Sequence, residues 1–156
     1  MVTVKSAHEI ELMRKANQIV RDTLDLVGRE IKAGMTTAQV DKLVYDYITS
    51  CGAKPSFLGY EGYPASACIS VNDVVIHGIP SDYRLKEGDI VSIDVGAYYQ
   101  GFHGDNAYTF IVGDTSDETK ALLKEPQASL MKGIKQATVG NRIGATSHAV
   151  AQRGPQ

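Results

Sequence analysis

The sequence predicts an α+β fold, on three observations. Apolar residues recur at helical spacing through the N-terminal region up to Gly52. The pattern then changes to period two, with β-branched residues concentrated at Ile90, Val91, Ile93 and Val95. Helical spacing returns after Val112. Helices, then a meandering sheet, then helices again point to an α+β fold rather than to the alternating units of a parallel sheet.

Each element has a local reason. Ser6-Ala7-His8-Glu9 has the S-x-x-E form of a capping box. Ile10, Met13, Val20, Leu24, Val27 and Ile31 follow on one stripe, interrupted only by Asn17, and predict a long amphipathic helix ending near Gly34. Thr36-Thr37-Ala38-Gln39 opens a second helix in the same way, with Val40, Leu43, Val44 and Tyr47 as its buried stripe and Gly52 as its stop. Lys54 to Pro64 is a loop rich in Gly, Pro and Tyr. Cys68–Val71 and Val74–Ile76 read as short strands around an Asn72-Asp73 turn, closed by His77-Gly78-Ile79-Pro80. Ile90 to Tyr99 is the best strand, Gln100-Gly101 a two-residue turn, and Phe102 to Val112 the returning partner. Thr115-Ser116-Asp117-Glu118 reads as a third capping box, and Leu122, Leu123, Leu130, Met131 and Ile134 continue at helical spacing. Pro126 interrupts that stretch and is expected to kink or break it, at a cost of about 3 kcal/mol. Gly140-Asn141 is a turn, and Ile143 to Ala151 begins a fourth helix.

Composition narrows the function classes. A chain of 156 residues suits one domain. Sixteen basic residues against eighteen acidic give a net charge of −2, which excludes a broad electrostatic claim on nucleic acid, so no DNA partner is expected. Cys51 and Cys68 have no CxxC spacing and fit a reducing compartment. Met1 to Lys15 lacks the apolar core of a secretory signal, and no apolar run approaches a membrane span. A cytoplasmic chain without a membrane partner is the expectation.

The informative stretch is the hairpin. Aspartate is disfavoured inside strands, yet Asp94 and Asp105 sit near the centres of two paired ones. With the turn at Gln100-Gly101, paired residue numbers sum to 201, so Asp94 faces Ala107 and Asp105 faces Gly96. Alternation then puts both carboxylates on one face as diagonal neighbours. Like charges so close need a proton or a cation between them, and hard divalent cations take carboxylate oxygens. The alternative is that one aspartate is an exposed edge residue and the other caps a turn; spacing alone leaves both readings open. Of the histidines, His8 reads as solvated, His148 is uninformative, and His103 shares the Asp105 face beside the turn. His77 precedes a rigid Gly-Ile-Pro turn and could orient a substrate; a strand-end histidine bonded to backbone is the competing reading.

Three linked segments then resemble one family. Val71-Asn72-Asp73-Val74-Val75-Ile76-His77-Gly78-Ile79-Pro80, Gly88-Asp89-Ile90-Val91-Ser92-Ile93-Asp94-Val95-Gly96 and Gly101-Phe102-His103-Gly104-Asp105 are similar to type I methionine aminopeptidases. The helix start His8 to Ala16 and the loop Gly62-Tyr63-Pro64 fit in register, and the likeness runs from about residue 4 to about residue 151. The resemblance implies the pita-bread (creatinase/aminopeptidase-like) fold, here its N-terminal half, and removal of initiator methionine from nascent polypeptides, with passing contact to the ribosome and a monomeric complete protein. It implies two divalent metal ions (cobalt, manganese, iron or zinc) held by two aspartates, one histidine and two glutamates. Asp94 and Asp105 match the aspartates, Asp105 as the bridging one. His77 matches a substrate-contacting histidine. Cys68, Tyr60 and Tyr63 match the methionine pocket. Asn72 and Val74 match carbonyl donors to a structural sodium or potassium ion.

The same resemblance marks departures. It divides the chain into a first half at 1–140, the start of a second at 141–151 and an atypical tail at 152–156, a single incomplete peptidase domain. The metal-binding histidine and glutamates belong to the second half and have no match here, so a truncated or frameshifted chain, inactive alone, is expected. Two other readings compete: a non-catalytic pita-bread protein that binds a peptide or partner, and a proline-specific metallopeptidase. The paired aspartates argue against the first, and the HGIP histidine and short N-terminal segment against the second.

Overall fold

The computed structural model describes residues 3–152. The chain forms two compact units, Met1–Asp114 and Thr115–Gln156. In the first, α1 (Ala7–Glu30) and α2 (Thr37–Ser50) precede a four-stranded antiparallel sheet of β1 (Lys54–Pro55), β2 (Ala67–Val71), β3 (Ile90–Tyr99) and β4 (Phe102–Ile111). Both capping boxes form. The Ser6 hydroxyl accepts from Glu9 N while the Glu9 carboxylate accepts from Ser6 N, and Thr36 and Gln39 do the same. Each reciprocal pair satisfies donors that a helix start leaves open.

β3 is the central strand. β2 and β1 pair with one side of it, and β4 pairs with the other along its whole length. The hairpin register is the expected one, with Asp94 opposite Ala107 and Gly96 opposite Asp105. Gln100 and Gly101 both have positive φ, 46° and 94°, as a tight turn matched to strand twist requires. One sheet face packs on α1 and α2. Val91, Ile93, Val95 and Ala97 from β3 join Ala67 and Ile69 from β2, with Val20, Val27, Val40, Val44 and Ile48 from the helices. Gly104 lets α1 cross β4, because a Cβ there would run into the backbone of Ala16.

Three local expectations are corrected. Val74–Ile76 is not a strand. Asn72 turns the chain at φ 51°, Val74 N bonds Val71 O at 3.1 Å, and the three side chains stand exposed. β-branched residues favour strands through packing on neighbours, and here the chain meets the edge of β2 only further on, at Gly78. The third helix is capped by Ser116 rather than Thr115: its hydroxyl accepts from Thr119 N at 3.2 Å, without a reciprocal glutamate. That helix, α3 (Asp117–Gln136), continues through Pro126. Proline removes one bond and crowds one carbonyl, and bonded turns remain on both sides. Within the second unit α3 packs on α4 (Ile143–Ala151), with Gly133 buried where Val150 approaches it. Of the expected tail, only Gln152 lies among the described residues, as the C-cap of α4.

Candidate metal centre

The sheet face opposite α1 and α2 carries the polar residues. Cys68 pairs with Asp94 and Ser70 with Ser92 across β2 and β3; Ser92 and Thr109 hydroxyls bond at 2.8 Å across β3 and β4. Asp94 is half-buried, and Asp105, next to it on this face, is exposed. Burial pushes the Asp94 carboxyl above its ordinary value, and the charge and hydrogen bond of Asp105 push the same way; the His77 imidazole opposes them. Asp94 and Asp105 are diagonal neighbours on this face, and their like charges repel, an effect that the His77 imidazole offsets only in part.

Several elements hold this pair in place. Asn17 of α1 accepts from Asp105 N at 3.4 Å and donates to Met13 O at 2.9 Å. Gly96 admits the chain after β1: a Cβ there would lie 2.7 Å from the Phe57 ring and 2.8 Å from Ser56 Cβ. Ser56 N bonds Gly96 O at 2.9 Å, and Ser56 Oγ meets His103 Nδ1 at 2.9 Å. An open pocket beside Asp105 is lined by Ser56, Phe57, Tyr60, Gly96, His103 and Gly104.

Of the remaining expected site residues, Tyr63, Cys68 and His77 lie near Asp94. Tyr63 donates its hydroxyl toward Ala67 O at 3.1 Å and Gly78 O at 3.0 Å. It also contacts the Cys68 thiol, and burial pushes both groups up, so both stay protonated at neutral pH. His77 is exposed in a left-handed conformation, φ 56°, close enough to act on the Asp94 charge. Asn72 and Val74 lie in the tight turn after β2. Asn72 accepts from Ile90 N and donates to Asp89 at 2.9 Å. The buried Asp89 also accepts from Tyr83 and from Lys86 N, and these bonds hold its carboxylate below the ordinary range although burial opposes them.

Sequence reasoning missed three contributors. Asn17 left a signal, a polar residue in an apolar stripe. Ser56 and Asp41 left none. Asp41 of α2 accepts from Ser66 N and Ala67 N, both at 2.8 Å, at the start of β2, and burial pushes its carboxyl up.

As a donor set, the pair suits a hard divalent cation, which takes carboxylate oxygens and would relieve the crowding of charge at Asp94. It is a partial set: among the described residues no group of three or more His, Cys, Asp or Glu side chains could hold a metal ion.

A helix-backed antiparallel sheet with two neighbouring carboxylates on its open face suits metal-dependent hydrolysis. The chain belongs to metallopeptidase family M24, whose model matches residues 11–153. It is 47% identical over 152 residues to the methionine aminopeptidase of Clostridium perfringens, covering 97% of this chain and 61% of that one. The crystal structure of methionine aminopeptidase from Rickettsia prowazekii superposes with a TM-score of 0.94 at 37% identity, over 96% of this chain and 60% of the other. The prolidase from Pyrococcus furiosus superposes with a TM-score of 0.84 at 25% identity, over 94% and 42%. The fold is thus the pita-bread fold of this family, in part. The chain spans about 60% of the length of the curated relatives it matches. Among the described residues, no helix is long and apolar enough to cross a membrane.

Proposed function

We propose that this chain carries the first part of a metalloaminopeptidase site that removes initiator methionine from nascent polypeptides. The observation that supports this reading most is the register of the β3–β4 hairpin, which sets Asp94 and Asp105 as diagonal neighbours on one face. In this reading Asp94 and Asp105 would be the ligands that this chain offers to two divalent ions (cobalt, manganese, iron or zinc). The chemistry such ions supply when bound is Lewis-acid polarisation of a carbonyl and acidification of water. Tyr60, Tyr63 and Cys68 form the wall that receives the methionine side chain; the neutral thiol and phenol suit an apolar thioether. The His77 imidazole, exposed beside Asp94, orients the substrate peptide. Asn72 and Val74 offer carbonyl oxygens to a structural sodium or potassium ion.

Two carboxylates do not close a site for two metals, since each ion takes four or more ligands. The 156-residue chain alone is therefore expected to bind divalent metal weakly and to release no methionine from Met-Ala peptides. Liberated methionine, followed chromatographically with added cobalt or manganese, checks this; steady turnover by this chain would overturn the inactivity. A metal-free binding role is the second reading, favoured by the absence of a three-ligand cluster among the described residues. Tight capture of Met-initiated peptides without any metal would support it.

A further inference from the structure

His77 is held in an unusual way. A non-glycine residue in the left-handed region costs about 1–2 kcal/mol, so φ 56° at His77 must be imposed by its neighbours. The next residue supplies the constraint. Gly78 O accepts from Ile69 N at 2.8 Å and from the Tyr63 hydroxyl at 3.0 Å, and Gly78 N donates to Ser70 Oγ at 3.1 Å. A Cβ on Gly78 would collide with Ile69 O, so this backbone lies directly on the edge of β2. Ser70 is buried, 4% exposed, and its hydroxyl has this single hydrogen bond to the loop. The Tyr63 hydroxyl sits at the junction and shares its one proton between Ala67 O on β2 and Gly78 O on the loop. β2 is also the strand whose Cys68 pairs with Asp94. One strand therefore sets the position of both Asp94 and the His77 loop.

We propose that Tyr63 and Ser70 are positioning residues for His77: their hydroxyl groups clamp Gly78 to β2 and so fix the imidazole relative to the Asp94–Asp105 pair. Tyr63 gains a task beyond lining a pocket, and Ser70 gains one where none was expected. The inference rests on the reading of that pair as a metal site only for the purpose the clamp serves.

The test uses the 156-residue chain, labelled for NMR, with manganese(II) as the paramagnetic probe. In the parent chain manganese is expected to broaden the Val95 and Asn106 amides, which flank the two aspartates, and the His77 ring protons. In Ser70→Ala and Tyr63→Phe the amide broadening persists while most of the His77 ring broadening is lost. Ser70→Thr, which keeps a hydroxyl, restores it. A second readout needs no metal: hydrogen exchange at the Ile69 amide, bonded to Gly78 O, accelerates in both variants while the Ile93 amide keeps its protection. Unchanged His77 broadening together with unchanged Ile69 exchange would overturn the clamp. Absence of manganese broadening at Val95 and Asn106 in the parent chain would overturn the metal reading instead, and Ile69 exchange would still decide the clamp.

Discussion

Alternate residues of β3 live under opposite physics. Val91, Ile93, Val95 and Ala97 point into the helices and are fully buried. Between them Ser92, Asp94 and Gly96 point to the other face, where the half-buried Asp94 is the diagonal neighbour of Asp105 and Gly96 admits Ser56 and Phe57. The first face supplies the burial that stabilises the unit, at roughly 25 cal/mol per Å² of apolar surface. The second face accumulates like charge, which opposes folding unless a proton or cation relieves it. A strand clamped on one face by a packed core can hold strained electrostatics on the other, and the rigidity of the site is borrowed from the core behind it.

That contrast can be broken from either side. The largest effect is expected on the helix face. Ile93→Ala removes a fully buried side chain at the centre of the sheet and should cost about 2–5 kcal/mol, measured by urea unfolding. Next comes Gly104→Ala, whose added methyl meets the Ala16 backbone. Overpacking of this kind costs about 1–3 kcal/mol, and it should also shift the Asn17 and Asp105 amide signals, because α1 is pushed off β4 there. The smallest effect, of opposite sign, belongs to the open face. Burial and Asp105 raise the proton affinity of Asp94 in the folded chain. Its contribution to stability is thus fully present in acid, below the ordinary carboxylate value, and is lost as the pH rises through the raised value. Asp94→Asn should therefore be more stable than the parent at neutral pH without metal, with the difference vanishing in acid; melting temperatures across that range check it.

The same two faces mark how much was readable. The period-two pattern and the two-residue turn at Gln100-Gly101 were enough to place Asp94 and Asp105 on one face in the observed register, since alternation and turn length determine pairing arithmetically. Two helix starts were readable from their capping boxes, because those bonds span only three residues. What the pair is for is not readable from spacing, which leaves an edge residue and a turn cap as the alternative; its role in metal binding is proposed from the resemblance to a family. Other features depend on contacts distant in sequence. Val74–Ile76 has strand-like residues but no strand to pair with. Nothing near Ser56 announces its bonds to Gly96 and His103, and nothing near Ser70 announces its hold on Gly78. Pro126 misled for a different reason, since a proline costs a helix locally without ending it.

Asp94 and Asp105 are proposed to act together as a cation site. Manganese(II) binding to the 156-residue chain at neutral pH, followed by loss of the free-ion electron paramagnetic resonance signal, tests it most directly. Weak binding by the parent, abolished in both Asp94→Asn and Asp105→Asn and fading in acid as Asp94 takes up its proton, is the result this account predicts. Binding of equal strength in the parent and both variants would contradict it.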